Sequence, residues 1–158
     1  MTDFITQIDF NILNAIQSIR NPFLDTIMPL ITFLGSGGIV WAVTALIMLC
    51  FKKSRKTGII IIVSLLLGLF LSTMGLKNVI ARERPYNTEE ALLTVENLLI
   101  SAPSGRFSFP SGHAISSFSA ATVILLYSKK LGIPAIILAA LICFTRLYLY
   151  VHFPSDVI

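Results

Sequence analysis

The run TGIIIIVSLLLGLFLSTMGLKNVIA, residues 57–81, restricts the fold more than any other part of the chain. It carries one charge, Lys77, and exceeds the roughly 20 apolar residues that take a helix across a bilayer. In hydrocarbon every backbone N–H and C=O needs a partner within the protein, so such a run is helical. Three more apolar segments accompany it. Residues 23–51 are interrupted by Pro29 and by GSGG at 35–38, which predicts a short helix to about residue 34 and a span over 38–51. Residues 111–127 and 134–151 predict two further spans joined by the turn SKKLG. Charged residues make up 13% of the 158, about half the share of an ordinary soluble domain. The expectation is all-α: a polytopic transmembrane helix bundle forming a single domain over 1–158, with the bilayer as partner and no nucleic acid.

The first twenty residues lack the basic start and unbroken apolar core of a signal peptide. Phe4, Ile5, Ile8, Ile12, Ala15, Ile16 and Ile19 recur at helical spacing, predicting an N-terminal amphipathic helix. Lying in the interface and packing on the bundle both fit it. Cys50 and Cys143 stand alone in apolar segments, with neither metal-ligand nor disulfide spacing, and read as core residues.

Lys52, Lys53, Arg55 and Lys56 form one basic cluster, and Lys129 and Lys130 another, two crossings later. They share a face, cytoplasmic by the positive-inside rule, so residues 82–110 and the segment after 151 face the other side. That loop also holds Arg82, Arg84 and Arg106 beside Glu83, Glu89, Glu90 and Glu96.

The chemistry gathers on this second side. Lys77 and Arg84 are two helical turns apart and are expected on one helix face, with Pro85 ending the helix. FPSGH, residues 109–113, opens the next span, and Arg146 closes the following one just before His152 and Asp156. Singly, each cation could be a snorkelling anchor and HxxxD an ordinary helical pair. Together, three cations, both histidines and an aspartate at one membrane depth point to a functional site. Lys77, Arg84 and Arg146 suit a compact oxyanion such as phosphate. Ser111, Gly112 and His113 at a helix start would add free N–H groups, with no Gly112 side chain in the way. Pro154 suits the first turn of a new helix, so Asp156 can hold one ring nitrogen of His152 and leave the other to attack phosphorus. His113 can protonate the leaving oxygen.

KNVIARERP (77–85), PSGH (110–113) and TRLYLYVHFPSD (145–156) resemble the three motifs of the type 2 phosphatidic acid phosphatase superfamily, K-x6-R-P, P-S-G-H and S-R-x5-H-x3-D. The motif-bearing core spans 77–156. The resemblance implies Lys77, Arg84, Ser111, Gly112 and Arg146 as phosphate ligands. His152 becomes the nucleophile that forms phosphohistidine, Asp156 its orienting partner and His113 the general acid, with no metal or other cofactor. Thr145 stands where the pattern has serine. Members of the superfamily continue with another membrane helix after the last motif, so the chain is expected to be a fragment lacking that helix.

Rival readings exist. His113, His152 and Asp156 could form a facial metal triad, but three nearby cations repel a metal ion. Vanadium haloperoxidases of the same superfamily resemble soluble helical proteins, which the apolar spans oppose. A lipid-phosphate binding or translocating protein leaves the histidines without a task. The resemblance implies a lipid phosphate or pyrophosphate as substrate. Undecaprenyl pyrophosphate, phosphatidylglycerol phosphate, phosphatidic acid and diacylglycerol pyrophosphate all fit, and the short chain is similar to small bacterial undecaprenyl pyrophosphate phosphatases. A bacterial plasma membrane with an extracytoplasmic site is expected, with the 86–109 loop, including ALLTVENLLI, shaping access.

Overall fold

The computed structural model describes residues 2–89, 91, 98–103 and 105–158. Glu90, Glu96 and most of ALLTVENLLI lie outside the described residues. Among the described residues the chain is all-helical, apart from one isolated antiparallel bridge between Glu83 and Phe107. The helices with described bounds are α1 (Thr2–Ser18), α2 (Pro22–Gly35), α3 (Ile39–Cys50), α4 (Arg55–Leu71), α5 (Lys77–Ile80), α6 (Gly112–Tyr127) and α7 (Lys129–Tyr148).

Helix α2 starts with a side-chain cap, Asn21 accepting from Leu24 N, and Pro22 occupies the first turn, where no N–H is needed. Pro29 sits inside α2 without ending it. The break falls instead at Gly37 and Gly38, whose φ values of 59° and 71° are left-handed and open to glycine. The α2–α3 pair forms a kinked apolar rod, Pro22–Cys50, one of two stretches among the described residues long and apolar enough to cross a membrane; α7 is the other. Helix α4 continues through a π turn, Ser72–Leu76, into α5, and the turn directly precedes Lys77. Of the expected turn SKKLG only Ser128 is outside a helix, because α7 begins at Lys129 and takes Pro134 in its second turn.

Antiparallel packing of α4 on α6 brings the two basic clusters to the same end. Gly68 of α4 meets the start of α6, where an added Cβ would come 2.5 Å from Ile115 Cγ2. Trp41, Ala45 and Met48 of α3 share one face and meet Ile61, Ala120, Ala121, Ile124, Ala139 and Ile142 in the core. The alanines let backbones approach closely, which sustains helix contact where lipid is as apolar as the side chains. The outward faces are apolar too, with Leu126 83% exposed and Leu66, Leu69 and Phe70 also exposed. Such a surface belongs against acyl chains. Cys143 is buried as expected, whereas Cys50 is exposed on α3.

Helix α1 combines both expectations. Its Phe4, Ile5, Ile8 and Ile12, and Ile19 just past its end, are exposed, while Asp9, Phe10 and Leu13 are buried. Phe10 and Leu13 pack with Tyr150 and Phe153, beyond the end of α7. The face turned inward is thus the one that holds the aspartate.

Candidate active site

The segment after α7 carries the first part of the site. Tyr150 has a left-handed φ of 59°, a costly conformation for a tyrosine, and it turns the chain so that Val151, His152 and Phe153 are buried. Pro154 opens a 3₁₀ turn, Pro154–Asp156. Asp156 Oδ2 accepts from Phe153 N at 2.7 Å and lies 3.5 Å from His152 Nδ1. That approach is within ion-pair range but too long for a formed hydrogen bond. On the other side of the ring Nε2 is 3.2 Å from Arg84 Nη1. A guanidinium only donates, so Nε2 is the acceptor and the ring proton belongs on Nδ1, facing Asp156. Burial pushes the His152 imidazole down to about 4, Asp156 opposing and the Arg84 and Arg146 charges adding to it. The ring is therefore neutral at pH 7. Burial alone would raise the Asp156 carboxyl, but the facing His152 ring, the Phe153 N–H and the Arg82 charge outweigh it and hold it below its ordinary value.

Arg84 does not share a helix face with Lys77. The helix ends at Ile80, Ala81 adopts a left-handed φ of 49°, and Arg84 is in extended conformation ahead of the 3₁₀ turn Pro85–Asn87. Tertiary bonds bring it in instead: Nε donates to Gly105 O at 2.7 Å and Nη1 to Val151 O at 2.9 Å. A Cβ on Gly105 would lie 3.6 Å from the Arg84 guanidinium and 4.0 Å from Lys77 Nζ, so the two cations meet over that residue.

Arg146 comes from α7 and is buried, donating to Thr32 Oγ1 of α2 at 2.7 Å. His113, second residue of α6, lies under α2, where a Cβ on Gly35 would come 2.8 Å from its Cδ2. It is within electrostatic range of Arg146, His152 and Arg84. His113 Nε2, Arg146 Nε and His152 Nδ1 are buried and make no hydrogen bond among the described residues. Buried polar atoms are seldom left so, and these three border one another's residues, as groups kept for a ligand do.

Ser111 has a different part from the one expected. Its backbone N–H donates to Asp156 O at 3.0 Å, and its fully buried hydroxyl caps α6 by accepting from Ala114 N. The N–H is therefore not open to an anion. Gly112 and His113 remain in the first turn, and a Cβ on Gly112 would meet no atom within 4 Å. Thr145 turns its hydroxyl back to Ile142 O at 2.6 Å, within its own helix.

Three residues outside the motif positions were missed. Thr32 orients Arg146. Arg82, inside the first motif but not one of its defining positions, bonds Asp156 Oδ1 at 2.8 Å. Asp9 of α1 bonds Arg82 at 2.6 Å. A carboxylate on a helix otherwise made for the membrane interface was the available signal for Asp9.

A cavity of about 400 Å³ runs from this layer down between the helices. Lys77, His113 and Ser116 stand at its polar side, and Ala42, Leu65 and Ile115 line its apolar wall.

The PAP2 superfamily model matches residues 57–158, well over half of the chain. The chain belongs to the PAP2 superfamily. It is 37% identical over 136 residues to an undecaprenyl-diphosphatase of Sulfolobus acidocaldarius, covering 84% of this chain and 63% of that protein. It is 30% identical to a lipid A 4'-phosphatase of Bacteroides thetaiotaomicron, covering all of this chain and 72% of that one. Among solved structures it resembles a transmembrane PAP2-type phosphatidylglycerolphosphate phosphatase from Bacillus subtilis. The TM-score is 0.73 at 28% identity, over 97% of this chain and 77% of that one. These likenesses agree with a membrane-spanning PAP2 bundle.

Proposed function

We propose that the chain is a membrane lipid phosphatase that transfers a phosphoryl group to His152 and then to water. The observation that carries the proposal is the setting of the His152 ring, with Nδ1 toward Asp156 and Nε2 toward Arg84. Arg84, Arg146 and Lys77 bind the phosphate oxygens, and Gly112 lets them approach the start of α6. A phosphate oxygen then takes over the Arg84 donor and leaves the Nε2 lone pair facing phosphorus. The N–P bond forms as the P–O bond to the leaving group breaks. His113 gives that oxygen its proton, and Asp156 balances the positive charge growing on the ring. In the second step His113 takes a proton from water as its oxygen attacks phosphorus. The N–P bond breaks, and inorganic phosphate leaves with His152 neutral again. Three fixed cations do the work that a divalent ion does elsewhere.

The cavity supports a lipid substrate. Its apolar wall suits a prenyl or acyl tail that stays at bilayer depth while the headgroup meets Lys77 and His113. Relatives named for undecaprenyl diphosphate, lipid A and phosphatidylglycerol phosphate support a lipid phosphate or pyrophosphate. We assign the reaction to the extracytoplasmic face of a plasma membrane, opposite the two basic clusters. The test is phosphate release from undecaprenyl pyrophosphate and from phosphatidylglycerol phosphate in detergent with excess chelator. Release that survives the chelator and disappears in His152→Ala is the expected result. A His152→Ala protein that still binds the lipid and releases phosphate at the native rate would overturn the mechanism.

A further inference from the structure

Asp9 belongs to no motif, yet it is 2% exposed and heads a chain of charges ending at His152. Its Oδ2 accepts from Arg82 Nη2 at 2.6 Å and from the Ser155 hydroxyl, and its Oδ1 from Ser155 N at 3.0 Å. Arg82 turns Nη1 to Ser155 Oγ at 2.7 Å and to Asp156 Oδ1 at 2.8 Å. The guanidinium lies 4.0 Å above the Phe153 ring, whose edge-on neighbour at 5.1 Å is Phe10 of α1. Asp156 is thus held on both oxygens, by Arg82 on Oδ1 and by Phe153 N on Oδ2, which faces His152.

Formal charges decide what Asp9 adds. Arg82 and Asp156 alone would cancel, and a neutralised carboxylate gives little support to a ring that becomes cationic when it bonds phosphorus. Asp9 makes the set −1, +1 and −1, leaving one negative charge beside His152. Among the described residues, the other charged or titratable groups facing that ring are Arg84, Arg146 and His113, none of them anionic. Bonds to Ser155, next to Asp156 in the same 3₁₀ turn, also fix where the carboxylate stands.

We infer that Asp9 is a positioning residue for the proposed reaction: by holding Arg82 and Ser155 it leaves Asp156 placed and charged against His152, which makes α1 part of the active site. The inference rests on the assignment of His152 as nucleophile. A buried ion pair can also be a structural tie and no more, so the test needs a readout that a tie does not move.

Asp9→Asn removes one charge at nearly constant shape. Asp9→Asn with Arg82→Gln removes both and restores the net charge of −1 beside His152. With substrate labelled at the transferred phosphoryl group, the rate and amplitude of protein phosphorylation in a single turnover separate chemistry from the fraction of folded enzyme. Asp9→Asn is expected to slow phosphorylation about 50-fold at unchanged amplitude and KM, and the double variant to recover at least fivefold of that loss. Asp9→Asn at the native rate, or a double variant no faster than the single one, would overturn the inference. If Asp9→Asn does not fold, Ser155→Ala gives the answer instead, with about a fivefold slower rate at unchanged KM expected and a native rate overturning it. His152→Ala, run alongside, separates the two claims. Turnover surviving in His152→Ala removes the nucleophile assignment, whereas its loss together with a native Asp9→Asn removes only the role of Asp9.

Discussion

The two ends of the bundle are stabilised in different ways. At the end bearing Lys52 and Lys129, helices meet through alanines and isoleucines. A buried polar contact there is Ser54 Oγ donating to Met48 O at 2.9 Å. At the other end, arginines, aspartates and histidines are buried together, and the bonds that hold them cross from α1, α2, the 82–85 segment and the residue before α6 to α7 and the segment after it. A lipid-facing bundle needs only shape at the first end. At the second it has to retain charges that its surroundings disfavour, and it does so by making each charge the partner of another. Changes at the apolar end should therefore alter stability alone, while changes at the charged end should alter rate far more than stability.

The largest effect expected is on His152. His152→Ala should lower turnover by about 10⁴-fold or more, with the melting temperature in detergent little changed. Arg84→Gln should follow, at about 10³-fold in kcat, because it removes a donor from phosphate and from the ring at once. Turnover of labelled lipid measures both. Thr32→Val, which takes one hydrogen bond from buried Arg146, should cost about tenfold in kcat/KM, the value of a bond to a charged group. Ser54→Ala makes the matching change at the apolar end, deleting the bond to Met48 O. It should lower stability by about 1 kcal/mol and leave kcat as it is. A rate loss in Ser54→Ala equal to that of Thr32→Val would erase the distinction between the two ends.

The smallest effect concerns acid. The His152 ring titrates near 4 in the folded protein, below the ordinary 6.5. As pH falls from about 6.5 toward 4, the unfolded chain takes up a proton that the folded one refuses, so stability present above 6.5 is lost over that window. The lowered Asp156 carboxyl acts in the same direction, its stabilisation being lost as pH falls through its folded value. Melting temperatures from pH 7 to 4 should fall more steeply for the native protein than for His152→Gln, which lacks the titrating ring. Parallel curves would contradict the burial of a neutral imidazole.

The same division explains what sequence could reveal. Hydropathy finds α2 through α7 because the bilayer acts on each segment separately, and GSGG marks the kink since only glycine adopts its angles freely. The motif residues Lys77, Arg84, His113, Arg146, His152 and Asp156 do converge. How they converge was not readable: Arg84 leaves the helix at Ala81 and is drawn in by carbonyls of Gly105 and Val151, partners that no local pattern announces. Asp9 interrupts an apolar stripe in sequence and looks like a solvated residue. Its partner Arg82 lies 73 residues away, so its burial becomes intelligible only when the two are brought together. A helix start offers spare N–H groups to an anion, but the one at Ser111 is already given to Asp156 O.

That last bond, Ser111 N–H to Asp156 O, has a consequence for recombining relatives. It joins backbone to backbone, so among the natural amino acids only proline at position 111 would delete it outright. The bond is therefore made whatever side chains segments 110–113 and 152–156 carry, proline at 111 apart. A chimera that takes one of them from a relative and keeps the other is expected to hold acid and nucleophile in register, and one that exchanges both together should do the same.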